Sequence, residues 1–222
     1  MSPRFTRPDF SDFVVHFTKD KPPISAEHGG ATSVPGVVAM TASDRLSAIL
    51  RDRVIRASNM PWTNALAVCF TECVWSSLLA HADAYSSYGV GFHKSKLFQA
   101  DGGPAFYVRR ELYDAQLRHR SKDVNGIAGW HPDVWPFITP FNPKYARTQG
   151  RRYVDYSHER EWRVPADFHF DLTDVAFIVV DRYEDEAQMP RDIKNAVGRE
   201  NVLIMDNYRR VRELWPTEGQ AP

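Results

Sequence analysis

The chain has 222 residues, and its 28 acidic and 28 basic side chains balance at neutral pH. That balance argues against a global field that would draw nucleic acid or an anionic membrane, and no run approaches the ~20 apolar residues of a membrane span. The length suits one large domain or two small ones. With no clean linker, a single domain over 1–222 is expected, and with no apolar leader the expected location is the cytoplasm.

Residues 13–18, "FVVHFT", alternate as a short strand, with Phe13, Val15 and Phe17 on one face and Val14, His16 and Thr18 on the other. Proline, glycine and small polar residues make 20–40 an ordered loop or flap. Thr41 or Ser43 can cap the helix that follows, whose apolar stripe is Leu46, Ile49, Leu50 and Val54. "ALAVCF" (65–70) is a continuous apolar run, as in a central strand covered on both faces. Thr71 can cap a second helix, with Val74, Leu78, Ala82 and Tyr85 on one face. "YGVGF" (88–92) suits a strand whose glycines let another group pack closely. Asp101-Gly102-Gly103 marks a turn, "PAFYVRR" a further strand, and 110–120 a helix.

Between 130 and 149 stand four prolines among many aromatics. That density opposes any regular element and suggests a long functional loop or cover. Beyond "HEREWRV" (158–164) come a strand at 175–181, a short helix near Ile193–Val197, a strand at 201–206 and a helix through Val211–Trp215. Residues 216–222 read as a frayed tail. The pattern predicts an α+β domain with a largely antiparallel, possibly split sheet and flanking helices.

Three signals carry candidate chemistry. As an extended segment, "HEREWRV" puts Glu159, Glu161 and Arg163 on one face and Trp162 and Val164 on the other, with the two carboxylates ~7 Å apart. Such a pair can divide labour, one stabilising a cationic centre and the other orienting a nucleophile. The same alternation also fits a charged solvent-facing strand. His16 and Thr18 share the polar face of the first strand, ahead of a glycine-rich loop of the kind that holds a nucleotide. Thr71 and Glu72, in "CFTE", stand where an apolar strand meets a helix start; there Glu72 is equally a first-turn acid complementing the helix dipole. Cys69 and Cys73 make neither a disulfide framework nor a four-ligand zinc site, and no paired-histidine spacing points to a metal. No phosphate-binding loop, complete dinucleotide fingerprint or nucleophile elbow is present.

The pieces "HFT" (16–18), "LSAIL" (46–50), "VCFTE" (68–72), "YGVGFHK" (88–94) and "PAFYV" (104–108) resemble the AbiGi group of bacterial abortive-infection, phage-resistance proteins. "EREWRV" is similar to an E-x-EWR run in related bacterial proteins. This resemblance implies an antitoxin working with a cognate toxin. The early strand histidine and the late Glu-x-Glu are also similar to ADP-ribosyltransferase folds. By that likeness NAD is the substrate, held by His16, Thr18, Thr71, Glu72 and Arg163 with Tyr88 stacked on nicotinamide. Glu161 bonds the ribose 2′-hydroxyl and stabilises the oxocarbenium ion, and Glu159 activates an unknown acceptor. "CFTE" stands in for that family's hydroxyl-rich middle motif. Two readings follow: a phage-defence protein with NAD-using transferase activity, or a non-catalytic antitoxin or protein-interaction module.

Overall fold

The computed structural model describes residues 10–20, 40–72, 78–79, 82–83, 85–122, 129–143 and 155–214, and among them twelve strands form, the longer ones from the alternating and continuous apolar stretches. Most of the expected loop at 20–40, Val74, residues 144–149 and the expected tail at 216–222 lie outside the described residues. The strands are β1 (Phe13–Phe17), β2 (Val54–Ile55), β3 (Ser58–Asn59), β4 (Leu66–Glu72), β5 (Gly89–His93), β6 (Gly103–Pro104), β7 (Phe106–Arg109), β8 (Ile138–Phe141), β9 (Glu161–Val164), β10 (Phe168–His169), β11 (Val175–Val180) and β12 (Val202–Ile204). The helices used below are α1 (Ala42–Asp52), α2 (Lys94–Gln99), α3 (Arg110–Lys122), α4 (Tyr183–Gln188), α5 (Arg191–Val197) and α6 (Met205–Leu214). Contacts group the chain into two compact units, each assembled from separated stretches.

The first unit comprises 1–53, 73–92 and 170–222. Its strands run in the order β12-β11-β5-β1. β11 pairs antiparallel with β5 and parallel with β12. The predicted faces of β1 hold: Val15 joins Leu78, Ala82, Phe177, Val179 and Met205 in the core, with Phe13 and Phe17 against it. The close approach expected at the β5 glycines is also present, since a Cβ on Gly91 would lie 2.5 Å from the Phe177 ring. Thr41 caps α1 in a reciprocal box with Asp44, and Leu46 and Leu50 turn inward. Val54, placed on that helix by its spacing, instead opens β2 after Arg53 turns into the left-handed region at φ 52°.

The second unit comprises 54–72 and 93–169. Here β9 lies between β4 and β6, antiparallel to both, and β3 pairs with β4. Tyr113, Trp135 and Ile138 centre its aromatic core, packed by Trp62, Trp130 and Leu117. Two expectations change. Thr71 and Glu72 do not start a helix but extend β4, because Thr71 finds a ladder partner in Glu161. The proline-dense segment is not irregular: Pro132–Phe137 forms a 3₁₀ helix and Ile138–Phe141 a strand parallel to β7. Pro132 sits in the first helical turn, where no N–H is needed, and Pro140 lies in a two-stranded ladder that leaves one edge unpaired. The mixed, mostly antiparallel class read from the sequence holds: of the ladders named among the described residues, five are antiparallel and two parallel.

Candidate functional site

The register of β4 on β9 sets Thr71 opposite Glu161 and Cys69 opposite Arg163. Glu161 and Arg163 project to the same face, two residues apart. That face is interior: the Arg163 side chain is 3 % exposed and Glu161 12 %, and they meet at 2.6 Å. The Arg163 guanidinium also donates to the carbonyls of Pro136 and Ile138 and to the Thr139 hydroxyl, at 2.8, 3.1 and 2.5 Å. Its Nε is buried without an acceptor among the described residues. Burial opposes the Arg163 charge, but the hydrogen bond and charge of Glu161 more than offset it and hold the guanidinium above its usual range.

Glu159 does not share this face. It closes a 3₁₀ turn over Ser157–Glu159, and Arg160 follows at φ 44°, in the left-handed region. That turn breaks the period-two alternation, so the strand begins only at Glu161. The expected row of Glu159, Glu161 and Arg163 is thereby reduced to the last two.

Glu72, at the end of β4, is a buried carboxylate. Lys94 at the start of α2 approaches it to 3.0 Å and Arg160 to 3.6 Å, and the Lys94 ammonium lies 5.3 Å from the Trp162 ring centre. The Arg160 carbonyl accepts the Glu72 N–H at 3.4 Å, which fixes the turn against the strand end. Tyr107 adds a further tie: its hydroxyl donates to the Tyr156 carbonyl and accepts the Glu161 N–H, at 3.0 and 3.3 Å. Burial first, with the negative charges of Glu161 and Glu159, pushes its phenol up to about 12. Burial, then the charge of Glu161, drives the Cys69 thiol far above its usual value, which disfavours the thiolate. Lys94, Arg160, Tyr107 and Thr139 were missed from sequence. Lys94, within "GFHKSK", carried the one local hint, a cation directly after a strand.

In the first unit, His16 is half-buried on β1 and engaged within the fold. Thr18 is buried, and its hydroxyl donates to the Ala42 carbonyl at 2.8 Å with the Tyr88 carbonyl at 3.1 Å. The Thr18 N–H donates to the same Tyr88 carbonyl at 2.9 Å, and Asp20 accepts the Ala42 N–H at 2.7 Å. These bonds pin the end of β1 to the start of α1. The Tyr88 hydroxyl donates to Asp185 Oδ2 at 3.0 Å; burial, reinforced by that carboxylate, pushes the phenol up to about 12. Tyr88 also lines a cleft of about 410 Å³ walled by residues of α1, α4 and α5, and it is the one sequence-predicted site residue found there. Thr71, Glu161 and Arg163 are thus brought together in the second unit, with Glu72 beside them, and Thr18 meets Tyr88 in the first.

Among the described residues no group of three or more histidine, cysteine, aspartate or glutamate side chains is arranged to hold a metal, and no helix is long and apolar enough to cross a membrane.

Fold and site together define a mixed α/β protein in which a buried glutamate, Glu72, and a half-buried one, Glu161, are each tied to a basic partner. The chain belongs to the family described as "Putative abortive phage resistance protein AbiGi, antitoxin", which it matches over residues 51–197, about two-thirds of its length. That match bears out the AbiGi resemblance, three of whose pieces, "VCFTE", "YGVGFHK" and "PAFYV", lie within it, and sets the protein among phage-defence families. No curated protein and no solved structure matches the chain.

Proposed function

We propose that the protein is the antitoxin of an abortive-infection pair, a non-catalytic module that neutralises a cognate toxin by binding it. The observation that carries this reading is the family match over 51–197, whose description is that of an antitoxin. The chemistry of the second unit supports it. A glutamate that serves a ribose hydroxyl must be able to turn toward its substrate, and Glu161 is held at 2.6 Å by a guanidinium that is itself 3 % exposed. Releasing Glu161 would leave a buried charge uncompensated, which costs more than a single substrate hydrogen bond returns. The transferase alternative keeps NAD as substrate and Glu161 as its stabilising carboxylate, and one experiment separates the two.

Cells expressing the toxin of the same defence locus are grown with and without this chain, and the purified chain is incubated with NAD while nicotinamide is measured. The antitoxin reading expects restored growth, co-elution of the two proteins and no nicotinamide above the buffer control. Nicotinamide release that disappears in a folded Glu161→Gln variant overturns it in favour of the transferase.

A further inference from the structure

The cleft of the first unit has a chemistry of its own. At about 410 Å³ it is of a size to take one small group or one partner side chain. Leu46, Leu50, Leu172, Val180 and Ile193, all buried, make its apolar wall. Five charged side chains line it: Asp44, Arg51, Arg53, Asp185 and Asp192. The arginines bring their own partners, Arg51 with Asp52 at 2.8 Å and Arg53 with Asp171 at 3.7 Å. None of the three lining carboxylates has a basic partner among the described residues. Asp44 and Asp185 take their hydrogen bonds on Oδ2 alone, from Thr41 and from Tyr88 and Arg182. Their Oδ1 atoms, and both oxygens of Asp192, accept nothing from the described residues. Each acid stands in a first helical turn, which tempers its charge but occupies at most one oxygen.

An apolar wall beneath open carboxylate oxygens matches one kind of occupant, a long aliphatic stem that ends in a cation. We propose that the cleft seats a single basic side chain, arginine or lysine, from the contact surface of the bound toxin. The stem lies along Leu46, Leu50 and Ile193, and the head meets Asp44, Asp185 and Asp192. The identity of the partner rests on the antitoxin reading; the preference for a cation does not.

Two measurements on the full-length chain keep those apart. In the first, N-acetyl-arginine amide is titrated into ¹⁵N-labelled protein, with N-acetyl-norleucine amide as the uncharged control. Saturable shifts are expected at the amides of Ser47, Asp185 and Asp192, with norleucine roughly tenfold weaker, the ratio that ~1.4 kcal/mol of charge pairing confers. No shift at the cleft, or equal binding of both probes, overturns the proposal. In the second, the toxin of the same locus is bound to wild type, to Asp192→Lys, which reverses an exposed charge, and to Ser47→Trp, which fills the cleft from an exposed helix position. Both variants are expected to weaken binding at least tenfold while melting like wild type. Unchanged affinity in both overturns the cleft as the contact and leaves the antitoxin reading standing. A wild-type chain that does not bind the toxin removes the antitoxin reading, and the arginine titration alone then decides the cleft.

Discussion

Glu161→Gln deletes one charge and almost no volume, which makes it the cleanest probe of the interior of the second unit. The pair it breaks is 2.6 Å long between side chains 12 % and 3 % exposed, so solvent does little to soften the loss. Removing one partner of a buried ion pair costs ~3–5 kcal/mol, chiefly because the remaining charge is stranded. Arg163 keeps its bonds to Pro136, Ile138 and Thr139, and the glutamine oxygen can still accept, so the lower end applies, about 3 kcal/mol. In a chain of this size each 1 kcal/mol moves the melting midpoint by ~2–4 °C, so the variant should melt roughly 6–12 °C below wild type. Arg163→Met strands Glu161 and takes the donors from two carbonyls, so it should lose ~3–5 kcal/mol. Urea denaturation of wild type, both single variants and the double variant closes a cycle in which a coupling of ~1–3 kcal/mol is expected, with the double variant losing that much less than the sum of the single losses. A Glu161→Gln midpoint within ~0.5 kcal/mol of wild type, with no coupling to Arg163, refutes the reasoning: the carboxylate is then not committed to the fold and is available for a substrate.

Three further outcomes test the rest of the structure. Gly91→Ala would press a methyl group 2.5–2.7 Å from three carbons of the Phe177 ring, so a loss of ~1–3 kcal/mol is expected by urea denaturation, partly recovered when Phe177→Leu is added. Thr41→Ala removes the hydroxyl that accepts the Asp44 N–H at 3.1 Å and should cost ~1 kcal/mol by the same measurement. Asp167 accepts the Ala57 N–H and an Arg56 N–H, at 2.8 and 2.7 Å, and the Ala57 bond first, then Arg56, holds its carboxyl below the usual range. A depressed carboxylate stabilises the fold above its unfolded value of ~3.9 and loses that contribution as pH falls through the folded value. Asp167→Asn should therefore cost under ~1 kcal/mol at pH 7, the pair being partly exposed, and should flatten the acid limb of the stability profile below about pH 4.

Where side-chain pattern alone decides, the sequence was a sufficient guide. The two faces of β1 follow from period two, and the α1 cap follows from a threonine three residues ahead of an acid. Errors arose where pairing between distant residues decides instead. Thr71 and Glu72 look like a helix start beside an apolar run, yet a ladder to Glu161 and a hydrogen bond to the Arg160 carbonyl hold them extended. Lys94–Gln99 forms a six-residue helix too short to show a stripe, and α4 went unmarked for the same reason. Thr18, Tyr88, Glu72 and Arg163 stand out in the sequence, but their partners Ala42, Asp185, Lys94 and Pro136 lie 22 to 97 residues away and leave no local trace.

Two oddities of the sequence account for one another. A proline-dense stretch leaves carbonyls that a regular ladder does not satisfy, and each such group, once buried, must find a donor. A strand with arginine on its inward face carries a charge that must find acceptors and a counter-ion. Arg163 joins the two: it caps the carbonyls of Pro136 and Ile138 across 27 and 25 residues of chain, while Glu161 on the same strand balances its charge. Read alone, "HEREWRV" is equally a surface strand or a catalytic one. Read with "WPFITP", it is the donor side of a bracket whose acceptor side is the proline segment. Glu161 is the counter-ion of that bracket, and a charge held in this way supports the binding-module reading proposed above.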